Sequence, residues 1–170
     1  MNVLDIPYIR RTRRNHAVEH ATVHILSARR PGTPLAGRSD GGGFYLYGDF
    51  ETGDVRAAAE SALARLGDEP ELALHPNCGT NLVVGGLLAG GAALAALLTT
   101  GADDRANRPL SALPRLFLAG TFAAVASRPL GLRVQRRVTT LPDVEGVRIE
   151  RITLRRHGKH CVHRVLLADA

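Results

Sequence analysis

The stretch His16-Ala-Val-Glu19-His20 puts two imidazoles and a carboxylate within five residues of a 170-residue chain. On a helix, positions i and i+4 share a face, so both rings can reach one ion. Glu19 lies three residues after His16, at the edge of that face, where a carboxylate can take a proton from a metal-bound water. This is the inverted zincin order, two ligands with a general base between them. Zinc lowers the pKa of its bound water to about 7, so such a site works at neutral pH. By itself the pattern is short, and solvated helical faces repeat it by chance. A zinc site needs at least a third protein ligand, and His75-Pro-Asn-Cys78 offers two of suitable type around a turn. The candidate metal ligands are therefore His16, His20, His75 and Cys78, with Glu19 as candidate catalytic base. The expected ion is Zn2+, with another divalent transition metal as the alternative.

His24 extends the histidine stripe by one turn, but a tetrahedral ion rarely spans three turns of one helix. It is expected to support a ligand rather than bind. His157, His160 and His163, with Cys161, alternate around a basic hairpin and read as solvated strand residues. Ligand count separates two functions. With one position open for water, the site is that of a hydrolase. With His16, His20, His75 and Cys78 all bound, it is a closed structural site and Glu19 merely orients a ligand. A haem held by His16 or His20 is the weaker third reading, since it gives Glu19 no role.

These side chains need elements to hold them. Asn15 reads as the N-cap of a helix that Pro31-Gly32 stops, with Val18, Ala21 and Ile25 on its apolar side. A loop follows over PGTPLAGRSDGGG, then a strand over GFYLYGDF (43–50). Thr52 or Asp54 caps a second amphipathic helix ending near Leu66, and ELAL (71–74) reads as a short strand ending at His75. After Pro142, two β-branched runs flank His157-Gly158-Lys159 and form a β-hairpin. The expected fold is an α+β cytoplasmic part interrupted by a two-helix transmembrane hairpin. Its divisions are 1–80 around the metal site, 81–132 in the membrane (about 81–100 and 113–132), and 133–170 packing back on the N-terminal region.

The membrane assignment rests on composition. No charged residue occurs between Cys78 and Ala102, and about 20 apolar residues cross a bilayer core. Gly86-x-x-x-Gly90 and Gly120-x-x-x-Ala124 offer small-residue faces for packing the two helices, or for a homo-oligomer. The second segment needs Arg115 and Arg128 to snorkel at the interfaces. An Ala-rich hairpin buried in a soluble oligomer is the alternative. Arg10, Arg11, Arg13 and Arg14 precede the pair, and Arg133, Arg136 and Arg137 follow it. By the positive-inside rule both ends are cytoplasmic, in a multi-pass protein of the inner membrane. The charges near the N-terminus follow a very short apolar stretch, the wrong order for a cleaved signal peptide.

The net charge is +6, nearly all of it from arginine, since Lys159 is the only lysine. No contiguous basic block is interleaved with aromatics, so no nucleic-acid partner is expected. The expected partners are the bilayer and a membrane-protein or lipid substrate. Two cysteines are too few for a disulfide scaffold.

NHAVEHATVHIL, HPNCGTNLVVGGLLAG and QRRVTTLPDVEG (135–146), in that order, resemble a family of small uncharacterised bacterial membrane proteins known as a domain of unknown function. The same motifs are similar to a larger uncharacterised membrane family, described as metal-dependent, with H-G-A-E-H, H-P-R-C-G-T and Q-R-L-T-T-x-x-P-D. The resemblance spans most of 15–150. It implies a metal site from His16, Glu19, His20, His75 and Cys78. It also implies a functional or structural element carrying Gln135, Arg136, Thr139, Thr140 and Asp143. The chain departs from the larger family at Ala21, at Asn77, and in the single residue between Thr140 and Pro142, which puts the substrate in doubt rather than the metal. Neither family brings an established reaction.

Overall fold

A computed structural model describes residues 2–98, 108–157 and 160–169. The chain forms two compact units, Met1–His75 with Gln135–Ala170, and Pro76–Val134. The loop expected around Asp103 and Asp104, and the turn at Gly158-Lys159, lie outside the described residues.

The first unit is an α+β layer. Helix α1 spans Pro7–Arg29, with Ile6 and not Asn15 at its N-cap, so it starts nine residues earlier than expected. Pro7 sits at the first turn, where its missing N–H costs nothing and its fixed φ favours the helix. Asn15 is instead buried mid-helix, and its amide donates to the Asp40 carbonyl at 2.7 Å. Pro31-Gly32 ends the helix as expected, with Gly32 at φ +83°. The loop reading of 36–40 is also corrected. Strand β1 (Ala36–Asp40) pairs antiparallel with β2 (Gly43–Tyr47) across a Gly41-Gly42 turn. β1 escapes a hydrophobic-pattern reading because AGRSD has no apolar alternation. The turn is closed by the Gly42 N–H donating to Asp40 Oδ1, and Gly43 adopts φ +144°.

Helix α2 (Thr52–Arg65) matches the expectation, although no side chain caps it. Strands β3 (Val147–His157) and β4 (His160–Asp169) form the expected hairpin and complete a sheet ordered β1-β2-β4-β3. Alternation along β4 decides what is buried. Cys161, His163, Val165 and Leu167 face inward, so the reading of Cys161 and His163 as solvated is wrong. Helices α1 and α2 cover this inner face, and Val18, Ala21, Phe44, Leu46, Val55 and Val165 form its center.

Residues 71–74 are not a strand. Pro70–Ala73 is a 3-10 turn, and Leu74 is extended. The carbonyls of Ala73 and Leu74 are bonded to histidines of α1 and so do not enter a ladder.

The second unit contains α3 (Gly79–Leu98) and α4 (Arg108–Val134). Among the described residues, α3 is the one helix long and apolar enough to cross a membrane, over the 18 residues Gly79–Ala96. α4 carries Arg115 and Arg128, with Pro114 and Pro129 inside it. The two helices pack antiparallel: a Cβ at Gly85 would sit 3.4 Å from the Ser127 Cβ, and one at Gly131 would collide with the Asn81 side chain. Among the described residues, Gly86, Gly90 and Gly120 meet nothing within 4 Å, so within this pair the close approaches are at Gly85 and Gly131 instead.

Candidate metal centre

α1 carries His16 and His20 one turn apart, with ring centroids separated by 4.2 Å. Each ring is oriented by a backbone carbonyl. His16 Nδ1 is 3.0 Å from the Thr139 oxygen, and His20 Nδ1 is 2.7 Å from the Ala73 oxygen. A carbonyl only accepts, so both Nδ1 atoms carry the proton and both lone pairs lie on Nε2. This is how proteins orient metal-binding imidazoles. A ligand nitrogen from each histidine and the Cys78 sulfur lie within 4.8 Å of one another. Two imidazoles and a thiolate suit zinc, and the His16, His20 and Cys78 cluster could hold a metal ion.

The carbonyl supports come from segments far away in sequence. The last residues before β3 include a π-helical turn, Gln135–Thr139, in which the Thr140 N–H reaches the Gln135 carbonyl at 2.9 Å. Such turns shift the backbone by one residue and often occur at functional sites. Here the turn presents the Thr139 carbonyl to His16. It also presents the fully buried Gln135 side chain to His75, where Oε1 accepts from the His75 N–H at 2.9 Å and Nε2 donates to the His75 carbonyl at 3.0 Å. Thr140 closes the turn through its hydroxyl, which donates to the Gln135 carbonyl. Arg136 pairs with Glu71, and Asp143 with Arg10. The element implied by the family resemblance therefore braces the histidine helix and the segment beside it. No pattern in the sequence pairs Gln135 with His75 or Thr139 with His16, since those contacts span 60 and 123 residues.

His75 stands apart from the three-donor group. Its ring centroid is 5.7 Å from that of His20 and 4.9 Å from that of His24. Burial, and secondarily the positive charge of His24, holds His75 below the ordinary imidazole range. His24 directs Nε2 to the Leu74 carbonyl at 2.7 Å, outside the donor group. Cys78 immediately precedes α3, and its sulfur accepts from the Thr80 N–H at 3.4 Å in the first turn of that helix. Asn81 donates to the Pro76 carbonyl at 2.6 Å.

Glu19 is buried, with 5% of its surface exposed. Its carboxylate packs against Gly37 of β1, and any side chain at that glycine would overlap it. Gly37 is a contact of Glu19 that the sequence does not advertise; only the absence of a Cβ in an otherwise ordinary strand marks it. Among the C-terminal candidates, His163 Nε2 lies 3.3 Å from the Thr52 hydroxyl, in the core and not at the metal group. The side chains of His157 and His160 fall outside the described residues.

The model of a domain of unknown function, DUF6391, matches residues 11–152. An uncharacterised protein of Picosynechococcus sp. is 37% identical over 141 residues, covering 75% of this chain and 65% of that protein, so the chain spans under two thirds of its relative's length. No solved structure matches. With the family model covering most of the chain, including both histidine motifs and the π-helical turn, this protein belongs to the DUF6391 family.

Proposed function

We propose that this protein is a membrane-anchored, zinc-dependent hydrolase of peptidase-like type, acting at the cytoplasmic face of the inner membrane. The observation that carries the reading is the grouping of His16, His20 and Cys78, with both imidazoles held by carbonyls. Three protein donors leave a fourth tetrahedral position for water or substrate, the count typical of catalytic zinc sites. When bound, the ion supplies Lewis acidity. The Thr139 and Ala73 carbonyls fix the ring orientation of His16 and His20 and direct Nε2 of each toward an ion. Glu19, one residue before His20, serves as the base, and its contact with Gly37 sets the position of its carboxylate. The substrate class is a juxtamembrane peptide of a membrane protein or a lipid headgroup.

Anchoring rests on α3, with α4 as the second span. The pair exposes Leu82, Leu87, Phe117 and Phe122 at 67–83% of their surface, which suits a lipid-facing boundary. Arg115 and Arg128 bracket the twelve uncharged residues Leu116–Ser127 and reach the interfaces by snorkelling. The arginines before α3 and after α4 place both ends in the cytoplasm. The test is Glu19→Gln in the full chain, assayed on quenched peptide libraries in micelles. Metal content should be kept and hydrolysis lost; hydrolysis at the wild-type rate would remove Glu19 as the base.

A second reading draws on His75, whose ring is near His20 and whose backbone is clamped by Gln135. If His75 closes the coordination, the site is structural and the protein is a membrane scaffold. Chelation should then unfold the first unit rather than leave it folded and inactive.

A further inference from the structure

Within the first unit, the sheet has one face under α1 and α2, and no described element of that unit covers the other. Directly paired residues share a face, so the register identifies the open side. One row across the four strands reads Arg38, Tyr45, Arg164, Thr153, and the next reads Ala36, Tyr47, Val162, Arg155. The third row ends in Arg151 on β3. Arginine and tyrosine that are scattered through the sequence thus become interleaved neighbours, the pattern whose absence as a contiguous block argued against a nucleic-acid partner. Arg38, Arg151 and Arg155 are exposed, and Tyr47 keeps 41% of its surface in solvent. Tyr45 and Tyr47 stack with centroids 6.4 Å apart, and the Arg164 guanidinium lies 4.3 Å over the Tyr45 ring.

A recess of about 120 Å³ opens on this face, lined by Tyr45, Thr153, Arg155, Val162 and Arg164. Two guanidinium groups and two hydroxyls around a small recess suit the several oxygens of a phosphate. Arg164 binds Asp40 through Nη2, while its Nη1 is buried with no hydrogen-bond partner among the described residues. Asp40 is the one acidic residue in these rows, and this ion pair occupies it.

We infer that this open face binds single-stranded nucleic acid, with backbone phosphates on Arg38, Arg151, Arg155 and the recess and a base stacked on Tyr47. Exposed aromatic rings within a basic sheet surface give affinity with little sequence preference, because every base has a π-face. An anionic bilayer is the competing polyanion. It is disfavoured because the face interleaves its arginines with stacked tyrosine rings, which suit bases rather than lipid headgroups. The inference is independent of the metal site.

The test uses the full chain in neutral phosphatidylcholine nanodiscs and a fluorescein-labelled 12-nucleotide RNA of mixed sequence, read by fluorescence anisotropy. Saturable binding should weaken steeply with salt, as phosphate contacts require. The double variant Arg38→Ala/Arg155→Ala should lose about tenfold or more in affinity and flatten the salt slope. Tyr47→Ala should lose about fivefold or more, Tyr47→Phe should keep wild-type affinity, and Arg56→Ala on α2 should change nothing. A matched arm adds vesicles with and without phosphatidylglycerol. Absence of RNA binding, RNA binding that ignores both the arginine pair and Tyr47, or recognition of phosphatidylglycerol vesicles but not RNA would each overturn the inference.

Discussion

Gln135 is the sharpest point at which to perturb the framework of the site. Its amide makes both hydrogen bonds a backbone can offer, accepting from the His75 N–H and donating to the His75 carbonyl. Gln135→Met keeps the length and most of the volume of the side chain while removing both. Each hydrogen bond is worth about 0.5–1.5 kcal/mol net, and a buried polar group left unmade costs about 1–3 kcal/mol. His75 is only half-buried, so water recovers part of this, and a loss of about 2–4 kcal/mol for the first unit follows. The measurement is urea denaturation of the full chain in micelles, followed by near-ultraviolet circular dichroism. All three tyrosines, Tyr8, Tyr45 and Tyr47, lie in the first unit and report on it. Hydrogen exchange should also show the His75 amide losing protection. A change below about 0.5 kcal/mol with unaltered exchange would refute the clamp, because no net hydrogen-bond contribution would remain.

Other expectations follow from the same geometry. Gly37→Ala puts a methyl group into the Glu19 carboxylate, so the proposed hydrolysis should fall about tenfold or more while bound metal stays within about a factor of two of wild type. In α3 and α4, Gly131→Ala forces Asn81 aside and should cost about 1–3 kcal/mol by thermal unfolding in micelles, as overpacking does. Gly90→Ala meets nothing and should be silent or slightly stabilising. Burial depresses the His163 pKa below 6.5, against a smaller opposing effect of Glu51. Its contribution is therefore complete above that pH and is lost as pH falls through the folded value, because the unfolded chain binds the proton more readily. Thermal melts between pH 7.5 and pH 5 should show a smaller acid-induced loss in His163→Gln than in wild type.

The sequence reveals the parts of this molecule that are local. The histidine stripe, the limits of α2 and the β3–β4 hairpin follow from periodicity, breakers and turn residues within a few positions. α1 starts early because Pro7 opens a helix without a polar cap, and the polar Asn15 serves the Asp40 carbonyl, a partner 25 residues away that local sequence does not reveal. β1 was hidden because Gly37 and Ser39, its inward positions, carry almost no apolar surface. ELAL has strand composition, yet its carbonyls are taken by His20 and His24, and hydrogen-bond demand from another element overrides local preference. The donor group was half legible: His16, His20 and Cys78 have ligand chemistry on their face, whereas the supports from Thr139 and Gln135 depend on a π-helical turn far along the chain. The order of the sheet turned an unremarkable scatter of arginines and tyrosines into one surface, which composition alone cannot express.

Zinc held by His16, His20 and Cys78 is the central claim, and X-ray absorption on the purified full chain tests it most directly. One zinc per chain with two imidazole nitrogens, one sulfur and one light-atom donor is the predicted result, and Cys78→Ser should remove the sulfur contribution. A metal-free protein after purification and zinc reconstitution, or a bound zinc with no sulfur neighbour, would contradict the account.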